Sequence, residues 1–579
     1  MKIILAKTSG FCMGVRRAVE AALDSPNQHP QPIHTFGPLI HNPQVLNLLE
    51  ERGIKSIDTV PEKGAGTILI RAHGVPPSTK LGLEKAGFNV IDATCPRVIK
   101  VQTIINKHAD SGYASIIIGD KEHPEVMGLL GYAKGNGFVA ATLGELEALP
   151  SFEKAIIVAQ TTQNKAFYEE IKQWAASRHP RYTVFDTICG STENRQAEIR
   201  QMSKDVEAMV VVGGKDSGNT RRLAAIAAES GKPVFHVESE EELETEALAG
   251  YQVVGLTAGA STPNWIIKRV HNALESMPVS RAGKLRFFFY RLQKTLLLTN
   301  LYGAFGAGCL CYAASTLQGI HHRFSVSLIA MLYVLTMHIV NNLTSNKANQ
   351  YNDPDRAEFF RAHKISVSFL SLVSALGYLL ISFSLGLLPF TIILLMSFTG
   401  LSYNLKLVPR KWFSGKALGI RDIPGSKTFF VAAAWGVIAA IFPVIAKAAT
   451  PLNFITLVAF SWATVLVFAR TAFYDILDMQ GDRIVGKETL PILVGEEKAM
   501  LILRFALSGM GLFVLAAGLA GYLSSLGYLL LICPALMLGL LEMHGRDVAV
   551  PGLRWEFLVE SVFVLAGITT FLWTAFYLN

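Results

Sequence analysis

The first 277 residues alternate short apolar runs with stretches of mixed charge that suit helices. Apolar runs that end in glycine or a polar residue occur at 67–71, 115–119, 155–159, 208–212 and 253–257. Strand-like runs that alternate with helical stretches are typical of α/β proteins. The pattern therefore predicts an α/β domain at residues 1–278.

From Thr295 onward the chain consists mainly of uncharged stretches that are too long for soluble helices. They lie at residues 295–316, 324–346, 365–405, 428–446, 448–469, 505–541 and 561–579. A membrane span needs about 20 apolar residues, so the stretches at 365–405 and 505–541 each hold two helices. The pattern predicts an all-α domain of nine transmembrane helices at 295–579. A basic linker at 279–294 joins it to the first domain.

The distribution of basic residues predicts how the chain is oriented. The net charge is +8, and the basic residues concentrate in the loops that follow the even-numbered spans. The positive-inside bias places these loops and the N-terminal domain in the cytosol. Met1 leads into an apolar run without a signal-peptide pattern, which agrees with that orientation. We expect an integral membrane protein that binds no nucleic acid.

One pattern occurs three times in the first domain. Each of Cys12, Cys95 and Cys189 is followed by a glycine that has a polar residue four positions later. These pairs are Gly37 with His41, Gly119 with His123, and Gly213 with Ser217. From cysteine to polar residue the spacings are 29, 28 and 28 residues. The repetition predicts three related lobes, in pseudo-threefold arrangement, that contribute side chains to one central site.

Three cysteines far apart in sequence suit either a metal centre or three buried thiols. A single cysteine is more often a buried thiol, but the matched spacing favours a metal centre. Zinc sites usually contain cysteine pairs at short spacing, and the chain has no Cys-x-x-Cys. A [4Fe–4S] cluster held by three thiolates, with one iron open to substrate, fits the pattern better.

The same segments contain hydrogen-bonding side chains without a wall of carboxylates. The candidates are His41, His73, His123, Thr161, Ser217, Asn219 and Ser261. Such a set suits a diphosphate. Glu125 lies two residues after His123. A carboxylic acid beside the pocket is a candidate proton donor, especially where burial raises its pKa.

Several longer motifs in the first domain are specific to one enzyme family. They are Gly10-Phe11-Cys12-Met13-Gly14-Val15, Ile40-His41-Asn42-Pro43, Arg71-Ala72-His73-Gly74-Val75, Asp92-Ala93-Thr94-Cys95-Pro96, Glu122-His123-Pro124-Glu125, Gln160-Thr161-Thr162 and Ala258-Gly259-Ala260-Ser261-Thr262-Pro263. With them, residues 1 to about 275 resemble 4-hydroxy-3-methylbut-2-enyl diphosphate reductase (the IspH/LytB family) of non-mevalonate isoprenoid synthesis.

The resemblance implies a reaction and a role for each motif residue. Cys12, Cys95 and Cys189 would ligate a [4Fe–4S] cluster whose open iron takes the allylic hydroxyl of the substrate. The polar set would bind the diphosphate, and Glu125 would relay protons. Two electrons, from a donor such as ferredoxin or flavodoxin, and two protons would release water and give isopentenyl and dimethylallyl diphosphate. Many relatives have two adjacent serines where this chain has Ser217-Gly218-Asn219, so we expect Gly218 to offer a backbone N–H instead.

The membrane domain has an acidic motif of its own. Asp475, Asp478 and Asp482 are spaced i, i+3 and i+7, which predicts that they share one helical face. Three carboxylates so placed repel one another unless cations lie between them. Magnesium bridging a substrate diphosphate is one reason for such a motif, and a charged loop beside the membrane is the other.

Residues from about 280 to 579 resemble the UbiA-type membrane prenyltransferases, which transfer a prenyl group from its diphosphate onto an acceptor. The matching stretches are 423–427, 469–483 and 486–491. In the family's other metal motif an asparagine precedes two aspartates, but here the three positions are Asn342, Asn346 and Gln350. Amides coordinate magnesium more weakly than carboxylates because they have no charge. The resemblance implies a Mg²⁺ and diphosphate site at Asn342, Asn346, Asp475, Asp478 and Asp482.

Three functional interpretations follow from these patterns. In the first, both domains are enzymes. In the second, only the reductase domain is catalytic, and the membrane domain is an anchor or a lipid-binding module, which the amides favour. In the third, the three cysteines mark a structural or sensory metal domain, which the surrounding histidines and Glu125 disfavour.

Overall fold

The computed structural model describes residues 1–277, 284–320, 324–344, 350–404, 425–447, 451–485, 487–546 and 552–577. The chain divides into two compact units, Met1–Ser280 and Arg281–Asn579. Of the segment that the sequence predicts as a basic linker, the part from Lys284 onward is helical.

The first unit contains twelve strands in three parallel sheets. The strands are β1 Lys2–Leu5, β2 Ile33–Phe36, β3 Lys55–Ile57, β4 Thr67–Ile70, β5 Asn89–Asp92, β6 Ala114–Ile118, β7 Gly137–Ala140, β8 Ala155–Ala159, β9 Thr183–Val184, β10 Ala208–Val212, β11 Val234–Val237 and β12 Val253–Ala258. The strand orders are β3-β2-β4-β5, β7-β6-β8-β9 and β11-β10-β12-β1. This confirms the α/β prediction, and β8 and β10 have the predicted bounds.

Helices connect the strands of the first unit. They are α1 Met13–Gln28, α2 Pro43–Glu51, α3 Pro77–Ala86, α4 Pro96–Asp110, α5 Pro124–Leu130, α6 Leu143–Glu147, α7 Lys165–Arg178, α8 Gly190–Met202, α9 Gly218–Glu229, α10 Thr245–Leu248 and α11 Asn264–Ser276. Every residue of β4, β6, β8 and β10 is buried. Parallel strands covered on both faces have continuous apolar sequences, which explains why these runs do not alternate.

The three sheets share one topology. The second strand in each order (β2, β6 and β10) is followed directly by Gly37, Gly119 or Gly213, whose N–H donates to the carbonyl at the end of the first strand (2.9 to 3.0 Å). The third strand leads to His73, Thr161 or Ser261, and the fourth strand leads to a cysteine. Because the fourth strand of the last sheet is β1, this sheet is built from both ends of the unit. The side chains of the sequence repeat therefore follow equivalent strands.

The second unit is helical. Its helices are α12 Lys284–Leu298, α13 Leu301–Leu317, α14 Phe324–Thr344, α15 Pro354–Ala362, α16 Lys364–Ser384, α17 Leu387–Asn404, α18 Ser426–Ala446, α19 Phe454–Leu477, α20 Met479–Ile484, α21 Leu490–Val494, α22 Glu496–Leu519, α23 Ser525–Gly545 and α24 Gly552–Tyr577. Within the described residues, seven helices are long and apolar enough to cross a membrane, and the pair Arg291–Leu298 and Leu301–Leu317, bent by 72°, could form an eighth span. The apolar helix Leu387–Ser402 is shorter.

Candidate functional site

The three cysteines of the repeat occupy equivalent positions at helix N-termini. Cys12 is the N-cap of α1, Cys95 of α4 and Cys189 of α8. The N–H of each donates to a carbonyl that follows the third strand of its sheet, on Ala260, Ala72 and Thr161 respectively (2.9 to 3.2 Å). The N-terminus of a helix carries a partial positive charge, so it is a favourable place for a negatively charged group that contains a metal.

One cavity of about 90 Å³ brings the cysteines together with the polar residues. All twelve residues that the sequence predicts for the first domain line it: Cys12, His41, His73, Cys95, His123, Glu125, Thr161, Cys189, Ser217, Gly218, Asn219 and Ser261. The repeat predicted a shared site, and the structure places these side chains around one. Their individual roles remain proposals.

The electrostatics of the cysteines suit a shared metal group. Burial raises the pKa of the Cys95 thiol, and the neighbouring Cys12 and Cys189 raise it further, although two N–H groups at the start of α4 lower it. Close thiolates repel one another, and a bound metal cation relieves that repulsion. A Cβ atom on Gly14 would lie 2.5 Å from Cys95 Sγ, so the glycine leaves the space that this thiol occupies beside α1.

Three imidazoles lie close together in the same cavity. The ring centroids of His41, His73 and His123 lie 4.9 to 5.7 Å apart. His41 Nε2 and His73 Nδ1 are buried and have no hydrogen-bond partner among the described residues. Asn219 Nδ2 is in the same situation. Buried polar atoms without partners are costly, and a polar ligand in the cavity would provide partners.

The electrostatics of the imidazoles favour an anion. Burial is the largest cause that lowers the pKa of all three rings, that of His123 to about 4. Arg71 and Arg221 lower the pKa of His41 further, and Arg222 and Arg221 lower that of His123. The positive charge of these guanidinium groups disfavours protonated imidazoles. The same charge attracts an anion such as a phosphate.

The three imidazoles could also be taken for a metal site, since one nitrogen from each lies within 4.8 Å of the others. The hydrogen bond of His123 opposes this interpretation. Its Nδ1 accepts the Glu125 N–H (3.1 Å), which leaves the proton of the neutral ring on Nε2. A protonated Nε2 donates hydrogen bonds and does not ligate a metal. His123 therefore suits a phosphate oxygen.

Glu125 is buried and held by one residue. Its two carboxylate oxygens accept hydrogen bonds from the Thr161 N–H (2.6 Å) and hydroxyl (2.9 Å). Burial raises the pKa of Glu125, whereas the hydrogen bonds from Thr161 and the charge of Arg222 lower it. A buried carboxyl with a raised pKa that lines the cavity is suited to hold and deliver a proton.

The segment Ser217–Asn219 lies at the N-terminus of α9, where Ser217 is the N-cap. A Cβ atom on Gly218 would lie 3.3 Å from Arg222 Nη1 and 3.6 Å from His123 Nε2. The serine hydroxyl of Ser261 donates to the His41 carbonyl (3.1 Å) and so joins two of the sheets' loops. A helix N-terminus beside imidazoles and a guanidinium is a favourable place for a phosphate.

The acidic motif of the second unit does not lie on one continuous helix. Asp475 belongs to α19, Asp478 ends that helix, and Asp482 belongs to the short helix α20. The prediction of a single helical face is therefore wrong, because the backbone at Asp478 leaves helical geometry (ψ 4°). The N–H of Asp482 still donates to the Asp478 carbonyl (2.9 Å), which keeps the motif compact.

Neighbouring side chains donate hydrogen bonds to Asp475 and to Asp482. The Thr428 hydroxyl donates to Asp475 (2.7 Å). Both Asn352 Nδ2 (2.8 Å) and Lys487 Nζ (2.9 Å) donate to Asp482 Oδ1. The ammonium group of Lys487 thus supplies positive charge that reduces the repulsion between the carboxylates of the motif.

The amide motif and the acidic residues that follow it are also in defined positions. Asn342 is buried near the end of α14, whereas Asn346 lies outside the described residues. Asp353 caps α15 and pairs with Arg356 (3.3 Å), and Asp355 pairs with Lys294 (2.6 Å). These two aspartates are thus held by basic partners.

Comparison with known proteins gives a separate result for each unit. Residues 3–275 match the LytB protein family model, and residues 301–566 match the UbiA prenyltransferase family. The 4-hydroxy-3-methylbut-2-enyl diphosphate reductase of Aquifex aeolicus is 41% identical over 278 residues, which are 48% of this chain and 96% of that protein.

The first half of the chain belongs to the 4-hydroxy-3-methylbut-2-enyl diphosphate reductase family. The second half is a UbiA-type membrane domain.

Two solved structures are similar to parts of the chain. One is an (E)-4-hydroxy-3-methyl-but-2-enyl diphosphate reductase (41% identity, 48% of this chain and 99% of that chain, TM-score 0.38). The other is a UbiA homologue from Archaeoglobus fulgidus bound to GPP and Mg²⁺ (14% identity, 48% of this chain and 98% of that chain, TM-score 0.35).

Two arginines in the reductase unit were missed at the level of sequence. Arg222 donates to Asp120 (2.8 Å) and to Thr162 (3.3 Å), and so links α9 to the loops around Glu125. Arg195 is buried behind the cysteines. The sixth position after each cysteine is buried in all three repeats, and in the other two it holds an apolar residue (Ala18 and Val101). The charged residue at this position of the third repeat could have identified Arg195 from the sequence.

Proposed function

We propose that the first unit reduces 4-hydroxy-3-methylbut-2-enyl diphosphate to isopentenyl and dimethylallyl diphosphate, with a [4Fe–4S] cluster bound by Cys12, Cys95 and Cys189. The observation that supports this most is the single cavity in which three N-capping cysteines meet three imidazoles and a buried glutamate. In this assignment residues 1–278 form the reductase domain, in which three lobes surround the cluster in pseudo-threefold arrangement.

The polar side of the cavity binds the diphosphate. His41, His73 and Asn219 have buried polar atoms without hydrogen-bond partners in the described part of the chain, and the neutral His123 keeps a proton on Nε2. The N-terminus of α9, with Ser217 and Gly218, adds N–H groups and a hydroxyl. Thr161 and Ser261 orient the substrate from the loops after β8 and β12. The guanidinium groups nearby favour the negatively charged ligand.

The reaction requires two electrons and two protons. It breaks the bond between carbon and the allylic hydroxyl, which takes one proton and leaves as water, and the other proton forms a new C–H bond on the allyl group. When bound, the cluster supplies the electrons and an iron site for the hydroxyl oxygen. Glu125 supplies a proton, since burial favours its protonated form and it lines the same cavity. Thr161 holds its carboxyl group in place with two hydrogen bonds. The electron donor is a protein of the ferredoxin or flavodoxin class.

The direct test is turnover by the full-length protein, purified without oxygen in detergent. With a strong one-electron donor and 4-hydroxy-3-methylbut-2-enyl diphosphate, we expect both five-carbon diphosphates as products and about four iron atoms per chain. Protein that contains the iron but forms neither product would favour a structural or sensory metal domain.

We expect Glu125→Gln to lower kcat by about 10²- to 10⁴-fold, the usual contribution of a general acid. Glutamine keeps the shape and some hydrogen bonds to Thr161 but has no acidic proton. KM and iron content should change little. His123→Ala, the comparison variant, should instead weaken substrate binding and raise KM. An unchanged kcat in the Glu125 variant would refute the proton role.

The pH dependence of kcat gives a second test of Glu125. Turnover falls as the pH rises through the pKa of this group, because the deprotonated carboxylate has no proton to give. The charge of Arg222 lowers that pKa, whereas Asp120 raises it. Arg222→Gln should therefore move the alkaline limb to a higher pH. An alkaline limb at the wild-type pH in this variant would contradict the assignment of that limb to Glu125.

For the second unit we propose prenyl transfer from an allylic diphosphate, at residues 295–579, with nine spans and the reductase domain in the cytosol. The membrane character and the family match support this. Asp475, Asp478 and Asp482 would hold Mg²⁺ with the help of Asn342 and Asn346. The residues present fit one divalent cation better than two, because amides replace the family's other aspartates and Lys487 already pairs with Asp482. The same observation favours a second candidate function, a membrane anchor or lipid-binding module.

A further inference from the structure

Arg195 is a buried cation that contacts the loop of one cysteine from the helix of another. It lies on α8, six residues after Cys189, and is 4% exposed. Its Nη2 donates to the Gly10 carbonyl (2.7 Å), and its Nη1 donates to the Ala258 carbonyl (3.1 Å). Gly10 lies two residues before Cys12. The side chain is therefore fixed between two of the three cysteine segments.

The contact with Gly10 depends on a backbone conformation that favours glycine. Gly10 has φ +99°, and a Cβ atom there would lie 2.5 Å from Asn264 Oδ1. A side chain at this position would meet Asn264, and the left-handed turn of the glycine is part of the loop whose carbonyl accepts from Arg195. The position of Arg195 is a consequence of how the loop before Cys12 is folded.

Neutral hydrogen bonds do not explain why a charged residue occupies this place. Both acceptors are uncharged carbonyls, and Arg195 Nε has no partner among the described residues. Burying a guanidinium is costly without a negative charge nearby. Its electrostatic partners are Cys12, Glu198 and Cys189, and the two cysteines would be thiolates as ligands of the proposed cluster. In the other two repeats the same position holds Ala18 and Val101, so helix packing alone does not require an arginine.

We propose that Arg195 is a positioning and charge-compensating residue of the metal centre, which makes the cluster held by Cys12, Cys95 and Cys189 easier to reduce. The inference rests on the proposed cluster. One-electron reduction adds negative charge to a centre that already contains three thiolates. A fixed guanidinium, which stays protonated at all accessible pH values, stabilises the more negative state.

Glu198 has the opposite charge and provides the matched control. It lies three residues further along α8 and accepts hydrogen bonds from the N–H groups of Lys7 (2.6 Å) and Thr8 (2.9 Å). Both residues therefore hold the loop that contains Cys12. Glu198 is only half-buried, so solvent screens its charge more than that of Arg195. If charge matters, the two neutral variants should have effects of opposite sign.

The measurement is the midpoint potential of the cluster in the full-length protein, determined by redox titration followed by electron paramagnetic resonance. We expect Arg195→Met to lower the equilibrium constant for reduction about tenfold, which is about 59 mV for a one-electron couple. Arg195→Lys should stay close to wild type, and Glu198→Gln should shift slightly toward easier reduction. The midpoint reports only molecules that contain the cluster, so partial loss of iron does not affect it.

Several outcomes would overturn the proposal. An unchanged midpoint in Arg195→Met would remove the electrostatic role. Shifts of the same sign in Arg195→Met and Glu198→Gln, or an equal shift in Arg195→Lys, would indicate that the residues act only on the loop. Failure of Arg195→Met to assemble a cluster that Arg195→Lys assembles would make Arg195 an assembly residue. Wild-type protein without iron would instead contradict the proposed function itself.

Discussion

Cys95→Ser is expected to remove the iron–sulfur absorption of the anaerobically purified protein and all reductase turnover. Serine is nearly the same size, but its hydroxyl is a poor ligand for a cluster that thiolates hold. Two thiolates, Cys12 and Cys189, would remain, and they lie on two different helices. The loss should appear as iron content near zero, together with the absence of both five-carbon products.

The control for this prediction is another cysteine of the same chain. Cys309 lies in α13 of the membrane unit, far in sequence from the cavity residues. Cys309→Ala should keep the iron content and the reductase turnover of the wild type. Normal iron content in Cys95→Ser would contradict the assignment of Cys95 as a ligand. Loss of iron in both variants would indicate a general failure of folding.

The local pattern of the reductase unit predicted five of its twelve strands and twelve of the residues that line its cavity. The runs at 155–159 and 208–212 became β8 and β10 without change, because buried parallel strands have continuous apolar sequences. The spacing of Cys12, Cys95 and Cys189 predicted a common site because equivalent strands lead to equivalent loops. The repeated sequence pattern thus reflects the common strand order of the three sheets.

Contacts between repeats were not predictable in this way. Arg195 and Arg222 make their hydrogen bonds to residues 59 to 185 positions away, and such pairing depends on how the sheets' loops approach one another. Residue spacing alone contains no such information. The tautomer of His123 likewise follows from a hydrogen bond to the Glu125 backbone, which only coordinates reveal.

In the membrane unit the i, i+3, i+7 spacing of the aspartates predicted one shared helical face, and this prediction was wrong. The helix ends at Asp478, so Asp475 and Asp482 belong to different helices. The ion pair of Lys487 with Asp482 was also missed, because the two residues are five positions apart and are separated by the end of α20. The rule that residues at i, i+3 and i+7 share one face applies only within a continuous helix.

Any prenyl transfer by the membrane unit is expected to vanish in Asp478→Asn and to need a high magnesium concentration in the wild type. Lys487 neutralises Asp482, so Asp475 and Asp478 supply the other two carboxylates of the motif, and the amide motif offers only neutral oxygens. Loss of one of two such carboxylates should abolish activity measured with an allylic diphosphate, Mg²⁺ and a panel of aromatic acceptors. Asp355→Asn is the control, since Lys294 already holds that carboxylate (2.6 Å).

Restoring carboxylates to the amide motif tests whether the site is weakened or abandoned. Asn346→Asp combined with Gln350→Asp should lower the magnesium concentration that gives half-maximal transfer, because two added charges attract a divalent cation. An effect of Asp355→Asn as large as that of Asp478→Asn would show that Asp355 leaves Lys294 to bind metal. Activity that survives Asp478→Asn would mean that the diphosphate binds elsewhere. If the wild type and the restored variant are both inactive with every acceptor, the membrane unit is better explained as an anchor or a lipid-binding module. In that case weak magnesium binding is not the reason for the inactivity, because restoring the carboxylates did not produce transfer.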